Sequence, residues 1–147
     1  MKMNNKGFSM VELIIVIAIM AILVGAIAPT LIKYVNKSRM SADANNAQEI
    51  AAALQQAYST DNVADGVTVD SIVVNIDSAG AYTYSTGATA DFKDAFTEIL
   101  GSTGPKKKYK KNSSTGFTGT LTTGSPTSCM VEDSAGTELY PSNGYAD

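Results

Sequence analysis

A lone carboxylate, Glu12, stands at the mouth of a long apolar run that begins at Phe8. A charge in such a place is expensive unless it finds a partner or a proton. Its simplest role is local, as an acid favoured by the positive end of a helix. The chemistry it offers beyond that is one half of a charge pair. The rest of the chain offers little reactive chemistry. Histidine and tryptophan are absent and there is one cysteine, Cys129. Without histidine there is no Ser-His-Asp or Cys-His nucleophile and no imidazole metal ligand. One thiol cannot close an internal disulfide, and a buried structural Cys129 is expected. The reading therefore assigns no catalytic residue, no metal and no cofactor.

Two further clusters could bear chemistry. Asp61-Asn62-Val63-Ala64-Asp65-Gly66 resembles the start of a calcium loop, but Val63 and Ile72 stand where the third and twelfth ligands belong, so the loop is rejected. Lys106-Lys107-Lys108-Tyr109-Lys110-Lys111 is a dense basic run with one aromatic. It is the stretch that could meet nucleic acid, an acidic surface or another subunit. Read as a strand it splits its lysines between two faces, and a solvated edge strand kept soluble by lysines is the preferred reading. Gly101 to Lys106 lacks the spacing and the hydroxyl residue of a phosphate loop. The net charge of −3 leaves no global basic field for nucleic acid.

The element that must position Glu12 is a helix. From Leu13 to Ile32 no residue is charged, and a helix of that length spans roughly 30 Å, the hydrocarbon thickness of a bilayer. A cleaved secretory signal would explain the basic start and the small residues Ala26-Ile27-Ala28, but Pro29 would follow the cut directly. A plain membrane anchor leaves Glu12 unexplained.

A third reading explains it. Gly7-Phe8-Ser9-Met10-Val11-Glu12-Leu13 resembles the signature of type IV pilins and pseudopilins. The resemblance covers roughly the first third of the chain. It implies that a prepilin peptidase/methylase cuts between Gly7 and Phe8 and N-methylates Phe8. It places Glu12 as the fifth mature residue, the one used in subunit assembly, and puts the family's helix proline at Pro29. It implies a cytoplasmic leader and an external C-terminal part; the charges Lys2 and Lys6 against Lys33, Lys37 and Arg39 nearly balance and do not decide orientation. It implies further partners: copies of the same chain in a helical homopolymer, the membrane, and an assembly platform with its ATPase. The chain would be a single-pass protein of the cytoplasmic (inner) membrane before assembly and part of an extracellular filament afterwards. The alternative within the family is a pseudopilin of a type II secretion or DNA-uptake machine. Unlike many pilins, this chain lacks a C-terminal cysteine pair and a second helix proline near Glu49.

The resulting organisation is a leader over 1–7, a transmembrane and filament-core helix over 8–32, an amphipathic continuation over 33–58 and a globular α+β head over 59–147. Pro29 and Gly25 are expected to kink or loosen the helix. Beyond the apolar run, Ala47, Ile50, Ala51, Leu54 and Tyr58 share one face, with Asn46, Glu49, Gln55 and Gln56 opposite. Ser59 to Gly66 reads as a loop. Strands are predicted over Val67–Ile76, Ala81–Thr86, Lys107–Lys111, Phe117–Thr122, Cys129–Glu132 and Glu138–Tyr140. A short helix is predicted over Asp91–Leu100, capped by Thr89 and stopped by Gly101, with Phe92, Phe96, Ile99 and Leu100 on one face. The expected fold class is α+β: a long N-terminal helix, membrane-spanning in its first half, with its second half packed on a small antiparallel sheet.

Overall fold

The computed structural model describes residues 7–60, 68–85, 87–109, 114–123, 127–142 and 144–145. A single helix, α1, runs over Met10–Tyr58. The chain divides into two compact units, Met1–Ser38 and Arg39–Asp147, with the division inside α1.

In the first unit α1 opens with the Leu13 amide donating to the Ser9 carbonyl at 3.2 Å. Glu12 lies in the first turn, where the helix dipole favours an acid. The Ile, Leu, Val and Ala side chains here have nothing to pack against within the unit: Phe8 is 84% exposed and Ile22 73%. This is a helix long and apolar enough to cross a membrane. Gly25 and Pro29 both lie inside it.

In the second unit the C-terminal part of α1 becomes amphipathic. Asp43, Ala47, Ile50, Ala51, Ala53, Leu54 and Ala57 are buried, while Glu49, Gln55 and Gln56 are exposed. The predicted face is therefore present, widened by Ala53 and Ala57. Against it lies an antiparallel sheet of five strands, β1 (Ser71–Ile76), β2 (Tyr82–Tyr84), β3 (Phe117–Thr122), β4 (Ser128–Asp133) and β5 (Glu138–Tyr140). Their order is β2-β1-β3-β4-β5. Alternation sends Ile72, Val74 and Ile76 of β1, Phe117 and Leu121 of β3, and Cys129 and Val131 of β4 into the core. The central strand meets the helix at Gly119, where an added Cβ would stand 2.7 Å from Leu54 Cδ1 and 3.2 Å from Ile50 Cγ2. A side chain there would have to displace the ends of the Leu54 and Ile50 side chains.

The second helix, α2, covers Ala90–Leu100. Thr89 caps it, its side chain accepting from the Phe92 amide at 3.2 Å. Gly101, at φ 93°, ends it in a conformation that favours glycine. Phe92 and Phe96 are fully buried, whereas Ile99 is 38% exposed. Tyr82 and Tyr84 of β2 stand edge-on to Phe96, with ring centroids 5.4 and 6.1 Å away.

The sequence reading needs correction at three places. Residues 68–70 are not strand and Val67 lies outside the described residues; β1 begins at Ser71, because its partner β3 ends at Thr122, which pairs with Ser71. Beyond that point the Thr123 amide bonds to the Asp70 carbonyl and the ladder stops. The second strand is shortened to Tyr82–Tyr84; Thr86 lies outside the described residues. No strand forms over 104–109, because that segment bonds to side chains of α1 and β4, as set out below. Lys110 and Lys111 lie outside the described residues, as do the rejected calcium-loop residues Asp61 to Gly66 and the greater part of the loop expected there.

The head closes its core with residues of its own unit. A fragment starting near Lys33 should accordingly be a soluble monomer that melts in one cooperative transition by circular dichroism. Aggregation, or a featureless melt, would mean that the head needs the apolar segment to fold.

Candidate processing and assembly site

Gly7, Phe8 and Ser9 precede the first turn of α1 in non-helical backbone. Phe8 and Glu12 thus sit at the same end of the helix, both exposed. Among the described residues the one ion pair is Lys107–Asp133, so Glu12 has no ion-pair partner there. A processing enzyme would find an accessible Gly7–Phe8 peptide next to a helix start.

Residues 2–28 match the prokaryotic N-terminal methylation motif. This is the type IV prepilin leader signature. The motif implies, in general terms, processing by a prepilin peptidase and a pilin-type assembly system. Comparison with curated proteins and with solved structures gave no match. The matched residues take in Gly7, Phe8, Glu12 and Gly25 and stop one short of Pro29. The match does not reach the residues that form the second unit.

The head contains polar groups that the sequence reading passed over. Asp43 is fully buried on the apolar face of α1. Its Oδ1 accepts from the Lys108 amide and its Oδ2 from the Tyr109 amide, each at 2.7 Å. The Asn46 side-chain amide donates to the Lys106 carbonyl at 3.4 Å. Helix α1 thereby holds the 106–109 segment by its backbone. The same segment sends Lys107 inward to Asp133 at the end of β4, Nζ to Oδ2 at 3.0 Å, with both side chains 1% exposed. Tyr145 donates its hydroxyl to the same Oδ2 at 2.8 Å. Asp133 Oδ1 accepts from the Ala135 and Thr137 amides at 3.0 and 2.9 Å. Burial alone would push the Asp133 carboxyl up, but the Thr137 amide, the Tyr145 hydroxyl and Lys107 outweigh it and hold its pKa below the ordinary value.

The basic run is therefore no solvated edge strand. Lys106 and Lys108 are exposed, but Lys107 is a buried partner of Asp133. Asp43 did leave a signal in the sequence, since it precedes Ala47 by one helical turn on the apolar stripe. Asp133 likewise continues the inward alternation of Cys129 and Val131. Cys129 is buried and free, and burial raises its thiol to about 11. It is thus a poor nucleophile at neutral pH. Among the described residues no group of His, Cys, Asp or Glu could hold a metal ion.

Proposed function

We propose that this chain is a structural subunit, cut after Gly7, methylated on Phe8 and assembled into a type IV pilus-like surface filament. The observation that carries the reading is the methylation motif over 2–28 on a helix whose apolar side chains are exposed. Such a surface needs an apolar surrounding, first the bilayer and then the helices of neighbouring subunits. Glu12 and the new Phe8 amine supply the charge pair between neighbours. The role is one of packing rather than of catalysis, with assembly driven by a separate ATPase at the membrane platform. A pseudopilin of a secretion or DNA-uptake machine would share this N-terminus. Imaging of cell-surface filaments in wild-type and deletion strains tests the reading: filaments lost with the gene and restored with it support a pilin, whereas unchanged filaments with a secretion or uptake defect favour the pseudopilin.

Processing is the most direct molecular test. Intact mass and N-terminal peptide mapping should find a mature protein that begins at Phe8 and carries one N-methyl group. A mature chain that retains Lys6, or one that starts at Pro29, would exclude this route.

A further inference from the structure

We propose that Lys107 and Asp133 condense within the folded head, joining Lys107 Nζ to Asp133 Cγ as an amide with release of one water. The two groups already touch at 3.0 Å and are almost wholly excluded from solvent. An amine and a carboxyl held in contact in a dry pocket gain the effective concentration that makes intramolecular acyl transfer feasible. Solvent exclusion also disfavours hydrolysis of the product.

The surroundings of Asp133 match what such a step needs. Two backbone amides, of Ala135 and Thr137, point at Oδ1. They would stabilise the negative charge that develops on that oxygen when the carbonyl is attacked. Tyr145 donates to Oδ2, the oxygen that must leave. Burial, and then the neighbouring Asp133, raise the Tyr145 hydroxyl far above its ordinary pKa, so it remains protonated and able to donate. The Lys107 ammonium also lies over the Tyr145 ring, 5.7 Å from its centroid. Tyr109 closes the far side, edge-on to Tyr145 at 5.2 Å.

The step balances without an oxidant or a co-reactant. The resting state is the ion pair, as the lowered carboxyl requires. Transfer of one proton from Nζ to Oδ2 along their hydrogen bond gives a neutral amine and acid, a minor form that burial makes less costly than it would be in water. The amine lone pair then forms the Nζ–Cγ bond, and the carbonyl electron pair moves onto Oδ1 between the two amides. Tyr145 passes its proton to Oδ2 and regains one from Nζ. The Cγ–Oδ2 bond breaks, Oδ2 departs as water and the Cγ–Oδ1 double bond re-forms. The product would tie the 104–109 segment covalently to the end of β4, in a chain whose single cysteine cannot form an internal disulfide.

The test uses the mature full-length chain, extracted in detergent. Its intact mass should be lower by one water than the mass of the unlinked mature chain. Tryptic digestion should yield a branched peptide containing both Lys107 and Asp133, identified by fragmentation. Lys107→Arg and Asp133→Ala should restore the full mass. Tyr145→Phe keeps the ring but removes the proton donor, and should slow joining by roughly 100-fold. An unlinked wild-type mass would overturn the proposal. A mass lower by one water without the branched peptide would do so too, since the water would have been lost elsewhere. Tyr145→Phe protein joined as rapidly as wild type would remove Tyr145 from the step.

Discussion

Replacing Glu12 with alanine should leave expression, membrane insertion and leader cleavage close to normal and nearly abolish filaments. In a membrane the carboxylate of an N-terminal helical turn lies close to the interface, where water tolerates it. In a filament core it would be surrounded by side chains such as Ile14, Ile15 and Val16, all exposed on the isolated chain. An unpaired carboxylate there costs several kcal/mol or takes up a proton. The partner proposed is the Phe8 amine of the next subunit, and breaking such a buried pair typically costs about 3–5 kcal/mol. Since about 1.4 kcal/mol is a factor of ten, each subunit addition would be weakened by roughly 100-fold or more. The amine exists only after cleavage, because before it the nitrogen belongs to the Gly7–Phe8 peptide bond. Processing would thus create the docking charge and gate assembly. Glu12→Asp should be milder than alanine but not silent, as the shorter side chain misplaces the charge. Filament counts by electron microscopy, with cleavage followed by mass, separate these outcomes. Normal filament numbers from Glu12→Ala would refute the mechanism.

Asp43→Ala should be among the most damaging single changes in the head. It removes the acceptor of two short, charge-assisted hydrogen bonds and leaves the Lys108 and Tyr109 amides without their partner on α1. Bonds of this kind contribute about 1.5–3 kcal/mol each, so a loss of roughly 3–6 kcal/mol is expected. For a domain of this size that lowers the melting temperature by more than about 10 °C. Asp43→Asn keeps one acceptor oxygen but turns an amide group toward the other backbone donor, and should fall between alanine and wild type. Glu49→Ala, on the exposed face of the same helix, should change stability by no more than about 0.5 kcal/mol. Thermal melts of the soluble head fragment would measure all three. An Asp43→Ala head as stable as the Glu49→Ala control would show that the 106–109 segment does not depend on its anchorage to α1.

What the sequence determined by itself was local in origin. The Gly7-Phe8 junction, Glu12 and the uncharged run behind it lie within one short stretch, so the methylation motif and the long apolar helix could be read in order along the chain. The limits of α2 were legible for the same reason: Thr89 bonds three residues ahead and Gly101 ends the helix on its own backbone. Strands β3 and β5 were legible in short β-prone stretches, and the inner face of α1 in its helical spacing. The tertiary structure alone decided the fate of the lysine run. Whether Lys107 points to water or to a carboxylate depends on Asp133, 26 residues away, and the segment that carries it is anchored by Asp43, at a separation of 65. No periodicity encodes such pairings. Asp43 and Asp133 fall at inward-facing positions of their helix and strand, but spacing does not say what their carboxylates bind, and Lys107 stands in a run that a pattern reading assigns to solvent. All three can be buried only because hydrogen bonds from distant parts of the chain replace the water they give up.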